Sequence, residues 1–119
     1  MKYVCLVYFD ERELNALPKK EIDALHAEAE AYVTEMRRRE GFLAADALEP
    51  TDSAVTLRRR RGAVSVSDGP FAETKEQLGE VVLIDAPNLD EAIKVAARVP
   101  SARFGSVEIR PVRVSAAPR

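Results

Sequence analysis

Lys2-Tyr3-Val4-Cys5-Leu6-Val7-Tyr8-Phe9 is the stretch on which the fold turns. Its aromatic and β-branched residues favour a strand, and the run is too short for a core helix. It is apolar at nearly every position rather than at alternate ones, so both faces of the strand should be covered. Gly79 to Asp85 repeats the pattern. Two helices fit around these strands. Pro18 suits the start of the first, and Ile22, Leu25, Ala29, Tyr32, Val33 and Met36 follow at the spacing of one helical face, with Gly41 as a C′ residue. Asn88 opens the second, with Glu91 three residues on to complete a capping box; Ala92, Ile93, Ala96 and Val99 form its inner stripe, and Pro100 stops it.

Leu43 to Leu48 reads as a further strand, ending before Pro50. Val55 to Arg60 and Ala63 to Val66 read as two strands around an Arg61-Gly62 turn, with Val64 and Val66 alternating with Ser65 and Ser67 as in a half-exposed sheet. Phe71 to Leu78 is polar and aperiodic, a loop or short helical turn. Val107 and Ile109 mark the last strand; Pro111 suits an edge or bulge, with Val112 and Val114 continuing out of register. The order is β-α-β, a hairpin, then β-α-β: an α+β, ferredoxin-like antiparallel sheet with two helices on one face plus an inserted hairpin. Two helices cover one face only. The second apolar face would exceed what monomers leave wet, so a homodimer packed sheet to sheet is expected.

The chain's 119 residues fit one domain, placed at 1–114 with a tail at 115–119. The longest apolar runs fall far below the ~18 residues of a membrane span, so no membrane partner is expected. Met1 to Phe9 is too short for a secretory signal, and a single cysteine, Cys5, allows no internal disulfide; a reducing cytoplasm is the expected location. A formal net charge of −2 argues against direct nucleic-acid binding. Arg37 to Arg39 suit the negative end of a helix dipole, and Arg58 to Arg61 a solvated hairpin.

Asp68-Gly69-Pro70-Phe71-Ala72-Glu73-Thr74-Lys75-Glu76-Gln77-Leu78-Gly79 resembles the signature of the DGPF type of the YCII-related family. Tyr3 to Tyr8, Asn88 to Ala92 with Pro100, and Gly105 to Val112 resemble the family's opening strand, second helix and closing strand. The resemblance implies ferredoxin-like subunits paired as a dimeric α+β barrel. It also implies, for YCII-type relatives, a His and an Asp near a cleft, and for DGPF-type relatives a link to sigma factors of the extracytoplasmic-function class. His26, the single histidine, stands about one turn from the place of the YCII-type histidine, where Glu30 falls closer.

Asp68 ends a strand before a chain reversal, where a carboxylate serves as acid/base, orients a ligand, or forms an Asx-turn. Glu73, Lys75 and Glu76 place opposite charges beside it, suited to an anionic group or to surface ion pairs. Phe71 walls a pocket or plugs the core. His26 flanks the apolar stripe, either as a proton shuttle or as a packed or half-exposed side chain. Cys5 belongs to the core. One His and one Cys offer no metal-ligand spacing, and no phosphate-binding glycine pattern, serine elbow or dinucleotide fingerprint occurs; no metal or cofactor is expected. Two readings follow: a ligand-binding or regulatory dimer, for which the resemblance implies a sigma-factor link, and a small cofactor-independent enzyme with Asp68 as acid/base, assisted by His26 or Glu73.

Overall fold

The opening strand β1 (Lys2–Phe9) occupies the interior of a four-stranded antiparallel sheet in the computed structural model, which describes residues 1–114. Its companions are β2 (Phe42–Ala47), β5 (Gln77–Asp85) and β6 (Gly105–Pro111), in the order β2-β5-β1-β6. Between β1 and β2 run a short helix α1 (Glu11–Asn15) and the long helix α2 (Lys19–Arg37). A separate two-stranded sheet, β3 (Val55–Arg60) with β4 (Ala63–Asp68), is inserted before β5, and α3 (Leu89–Ala96) connects β5 to β6. With the hairpin set aside, this is the ferredoxin-like α+β arrangement that the strand pattern implied. The tail expected at 115–119 lies outside the described residues.

The apolar runs of β1 and β5 are indeed two-sided. Tyr3 pairs with Ile84 and Cys5 with Val82, and these side chains with Val7 are buried beneath Tyr32 and Met36 of α2 and Ala92, Val95 and Ala96 of α3. On the reverse face Val4, Leu6 and Tyr8 pair with Leu83, Val81 and Leu78. These six stay half-exposed, and none belongs to the core that the helices build. The stripe of α2 matches its spacing, with Leu25, Tyr32 and Met36 buried. Cys5 is a core thiol, and burial raises its pKa.

Several expectations need correcting. Pro18, with ψ at 149°, is the residue before α2 rather than its first turn. The helix ends at a C-cap on Arg38, so Gly41, at φ 91°, serves the entry to β2. Ile93 is 45% exposed and Val95 takes its place, because Ala92, Val95, Ala96 and Val99 keep the 3 and 4 spacing that Ile93 breaks. The Asn88 side chain accepts from the Glu91 amide at 2.9 Å, but the Glu91 carboxylate pairs with Lys94, so only half of the capping box forms. Strand β5 begins at Gln77, because a bulge opposite Val7 and Tyr8 hides its alternation. Strand β6 stops at Pro111, and Val114 is 94% exposed. The hairpin is exposed along nearly its whole length instead of half-covered.

Glu80 pairs with Val7 and turns a carboxylate into the helix-covered side, where Ser101 Oγ donates to Oε1 at 3.1 Å. Burial raises its pKa and the serine hydrogen bond opposes this in part. A carboxyl whose folded pKa is raised favours folding most at low pH, and that contribution is lost as pH rises through the folded value. Glu80→Gln should therefore stabilise the protein at pH 7 by on the order of 1 kcal/mol. The gain should vanish below about pH 4. Urea unfolding at both pH values tests this; equal gains at the two would show that ionisation is not the cause.

Candidate functional site

Asp10 directly follows β1 and begins the site. It is 9% exposed, the one buried charged side chain among the described residues. Its carboxylate accepts from the Arg12 amide at 3.0 Å, capping α1, and lies 3.7 Å from Arg12 Nε. The next residue, Glu11, reaches across the chain: Oε1 accepts from the Thr51 amide and Oε2 from Thr51 Oγ1, both at 2.9 Å. With both oxygens engaged, this carboxylate clasps the loop before the hairpin onto α1.

A cavity lies on each side of the clasp, and Glu11 lines both. The first, of about 240 Å³, has walls of Phe9, Leu14, Ile22, Leu25 and Leu48, with His26 and Glu49 as further ionisable lining groups. The Phe9 ring rests directly on Gly79, where a Cβ would occupy the ring's position. The second is a polar cleft of about 480 Å³ among Asp10, Arg12, Thr51, Pro70, Glu73 and Lys75. Its far wall is braced internally: Gln77 Nε2 donates to the carbonyls of Ala72 and Thr74 at 2.9 and 3.3 Å, and Thr74 Oγ1 donates to that of Glu76 at 2.7 Å.

The structure thus brings Glu73 and Lys75 together with Asp10 and Arg12, and sets His26 in the neighbouring apolar cavity. Glu73 and Lys75 form no ion pair with each other, and Glu76 accepts from Ser106 Oγ at 2.9 Å. Asp68 is exposed at the end of β4 and lines neither cavity. An Asx-turn there is barred, because the residue two positions on is Pro70, which has no N–H. The reversal is held instead by the Gly69 amide donating to the Ala54 carbonyl and by Thr56 Oγ1 donating to the Gly69 carbonyl, both at 2.8 Å. Phe71, expected in the core or a pocket wall, is 79% exposed, because its loop runs over the surface. Among the described residues no group of three or more His, Cys, Asp or Glu could hold a metal ion, and no helix is long and apolar enough to cross a membrane. Asp10 and Glu11 were the residues that sequence reasoning missed. The one signal was an Asp-Glu pair directly after an apolar strand, a pattern that also reads as a plain strand end.

Fold and cavities together define a ferredoxin-like α+β domain with ligand-sized openings at one end of its sheet. The chain belongs to the YCII-related domain family, which residues 1–115 match. It is 39% identical over 114 residues to an uncharacterized protein of Rhizobium meliloti (strain 1021), covering 94% of this chain and 92% of that one. Among solved structures it is similar to the 5-chloro-2-hydroxyhydroquinone dehydrochlorinase of Burkholderia phenoliruptrix AC1100 in complex with 2,5-dihydroxybenzoquinone. The TM-score is 0.55 at 15% identity, over 95% of this chain and 94% of that one. At that identity the likeness concerns the fold.

Proposed function

We propose that this protein is a ligand-binding domain that takes a small, largely apolar organic molecule between β1, α1 and α2 and acts as a two-fold pair of chains. The observation that carries this reading is the apolar cavity itself. Aliphatic and aromatic walls with a few ionisable groups are the composition of small-molecule sites. The half-exposed apolar stripe on the reverse of the sheet supports pairing. Regulation by the bound molecule, without turnover, suits a cavity whose Glu11 is occupied structurally by Thr51.

A panel of small phenols and aromatic carboxylates, followed by amide chemical shifts, tests the reading. Shift changes should centre on Leu14, Ile22, Leu25 and Leu48, and Ile22→Trp, which fills the space, should weaken binding at least tenfold. Absence of binding across the panel, or binding indifferent to Ile22→Trp, would overturn it. The enzyme reading keeps one specific support: His26 and Glu11 line the same cavity. It requires that a bound compound be converted, with loss of conversion in His26→Gln at unchanged binding.

A further inference from the structure

The β3–β4 hairpin leaves both faces largely in solvent, the apolar one included. Leu57 pairs with Val66, Val55 with Asp68 and Arg59 with Val64, so these six side chains share one face. On it Val55, Leu57, Val64 and Val66 are 61%, 62%, 59% and 62% exposed. The side-chain hydrogen bonds of the opposite face stay within the hairpin and the turn that follows it. Thr56 Oγ1 donates to the Gly69 carbonyl at 2.8 Å, and Arg58 donates to the Phe71 carbonyl at 3.1 Å and to Ser67 Oγ at 3.3 Å. A hairpin that served its own core would bury this apolar face.

The hairpin is nonetheless well built. Its strands pair along all six residues of each without a register shift, and Arg61 and Gly62, at φ 50° and 81°, close it with the doubly left-handed two-residue turn that matches strand twist. A two-stranded ribbon alone is marginal in water. A strongly specified hairpin with four large aliphatic side chains in solvent is therefore missing a partner surface.

We infer that this hairpin is an arm that docks, through its Val55-Leu57-Val64-Val66 face, onto the reverse sheet face of a second copy of the chain. The chain itself carries the matching surface: Val4, Leu6, Tyr8, Leu78, Val81 and Leu83 form an apolar stripe that its own arm leaves half-exposed. Charges on the two surfaces also complement each other. The arm face bears Arg59 and Asp68; the sheet face bears Glu108 opposite Leu6, Asp46 opposite Val81 and Arg110 opposite Val4. Among the described residues none of these five is in an ion pair. A closed two-fold exchange of arms covers both apolar surfaces of both chains at once. Asp68 is then an interface residue rather than an acid/base.

The inference rests on the two-chain reading above, and sedimentation equilibrium separates the two. Wild type should be dimeric, and the double variant Leu57→Asp/Val66→Asp should raise the dissociation constant about a hundredfold or more. Because both side chains are exposed, the far-UV circular dichroism should not change. An arm variant that dimerises as tightly as wild type would sink the arm while leaving the pairing intact; a wild type that stays monomeric would sink both. Hydrogen exchange on wild type gives an independent measure. Amides of residues 55–68 should become more protected as concentration rises, and concentration-independent exchange would overturn the docking.

Discussion

Replacing Gly41 by alanine should destabilise the protein by about 3 kcal/mol, lowering the melting temperature by on the order of 10 °C. Two separate costs add. Gly41 sits at φ 91°, a conformation that L-residues adopt reluctantly. Its Cα also faces the backbone of β5, so a Cβ would drive into the Asp85 carbonyl. That carbonyl belongs to a rigid strand and cannot rotate aside. Relief requires moving the entry of β2 away from β5, which would stretch the 2.6 Å hydrogen bond from the Asp85 amide to the Gly41 carbonyl. Gly62 supplies the control. It has a similar φ of 81° but open space where the Cβ would go, so Gly62→Ala should cost only about 1 kcal/mol. Thermal unfolding of both variants isolates the close approach; equal losses would refute it.

Tyr32 should make the fold fail in alkali. Its ring is buried against the sheet and its hydroxyl donates to the Val95 carbonyl at 3.2 Å. Its pKa is pushed up to about 12, chiefly by burial, with smaller contributions from Cys5 and Glu80 and opposition from Arg98 and Arg39. The unfolded phenol titrates near 10. Stability from the neutral phenol is therefore complete below pH 10 and is lost as pH rises toward 12, an overall change of roughly 2–3 kcal/mol. Tyr32→Phe should remove most of this alkaline slope. At pH 7 it should cost only about 1 kcal/mol, since the Val95 carbonyl keeps its bond from the Arg98 amide. The buried Cys5 thiol titrates in the same direction and leaves a residual slope in the variant. Guanidinium unfolding between pH 8 and 12 gives the slopes; parallel profiles for wild type and variant would remove Tyr32 as the cause.

Legibility in the sequence followed the range of the interactions. The two-sided strands, the α2 stripe and the Asn88 cap are local patterns, and each was readable because burial imposes a fixed period on neighbouring residues. The start of β5 was hidden because its bulge breaks the alternation at Gly79. The site was harder still. Helix α1 has five residues, too few to show a period, and the Glu11–Thr51 clasp joins positions 40 apart. His26 was visible because it borders the stripe, and Glu73 and Lys75 because they stand in a charged loop beside a turn. Asp68 and Phe71 belong to the same motif, yet the hairpin holds them away from both cavities. Adjacency in sequence does not survive a chain reversal.

The outer strands of the main sheet bear on how the protein behaves when crowded. Strand β2 is bulged between Phe42 and Ala44, and β6 ends in a proline that offers no N–H. Each irregularity spoils the even row of donors and acceptors that an incoming strand would need. Lateral growth of the sheet into ribbons or fibrils is thereby disfavoured at both margins, and the protein should remain in solution at concentrations where a flat, regular sheet of this apolar content would aggregate.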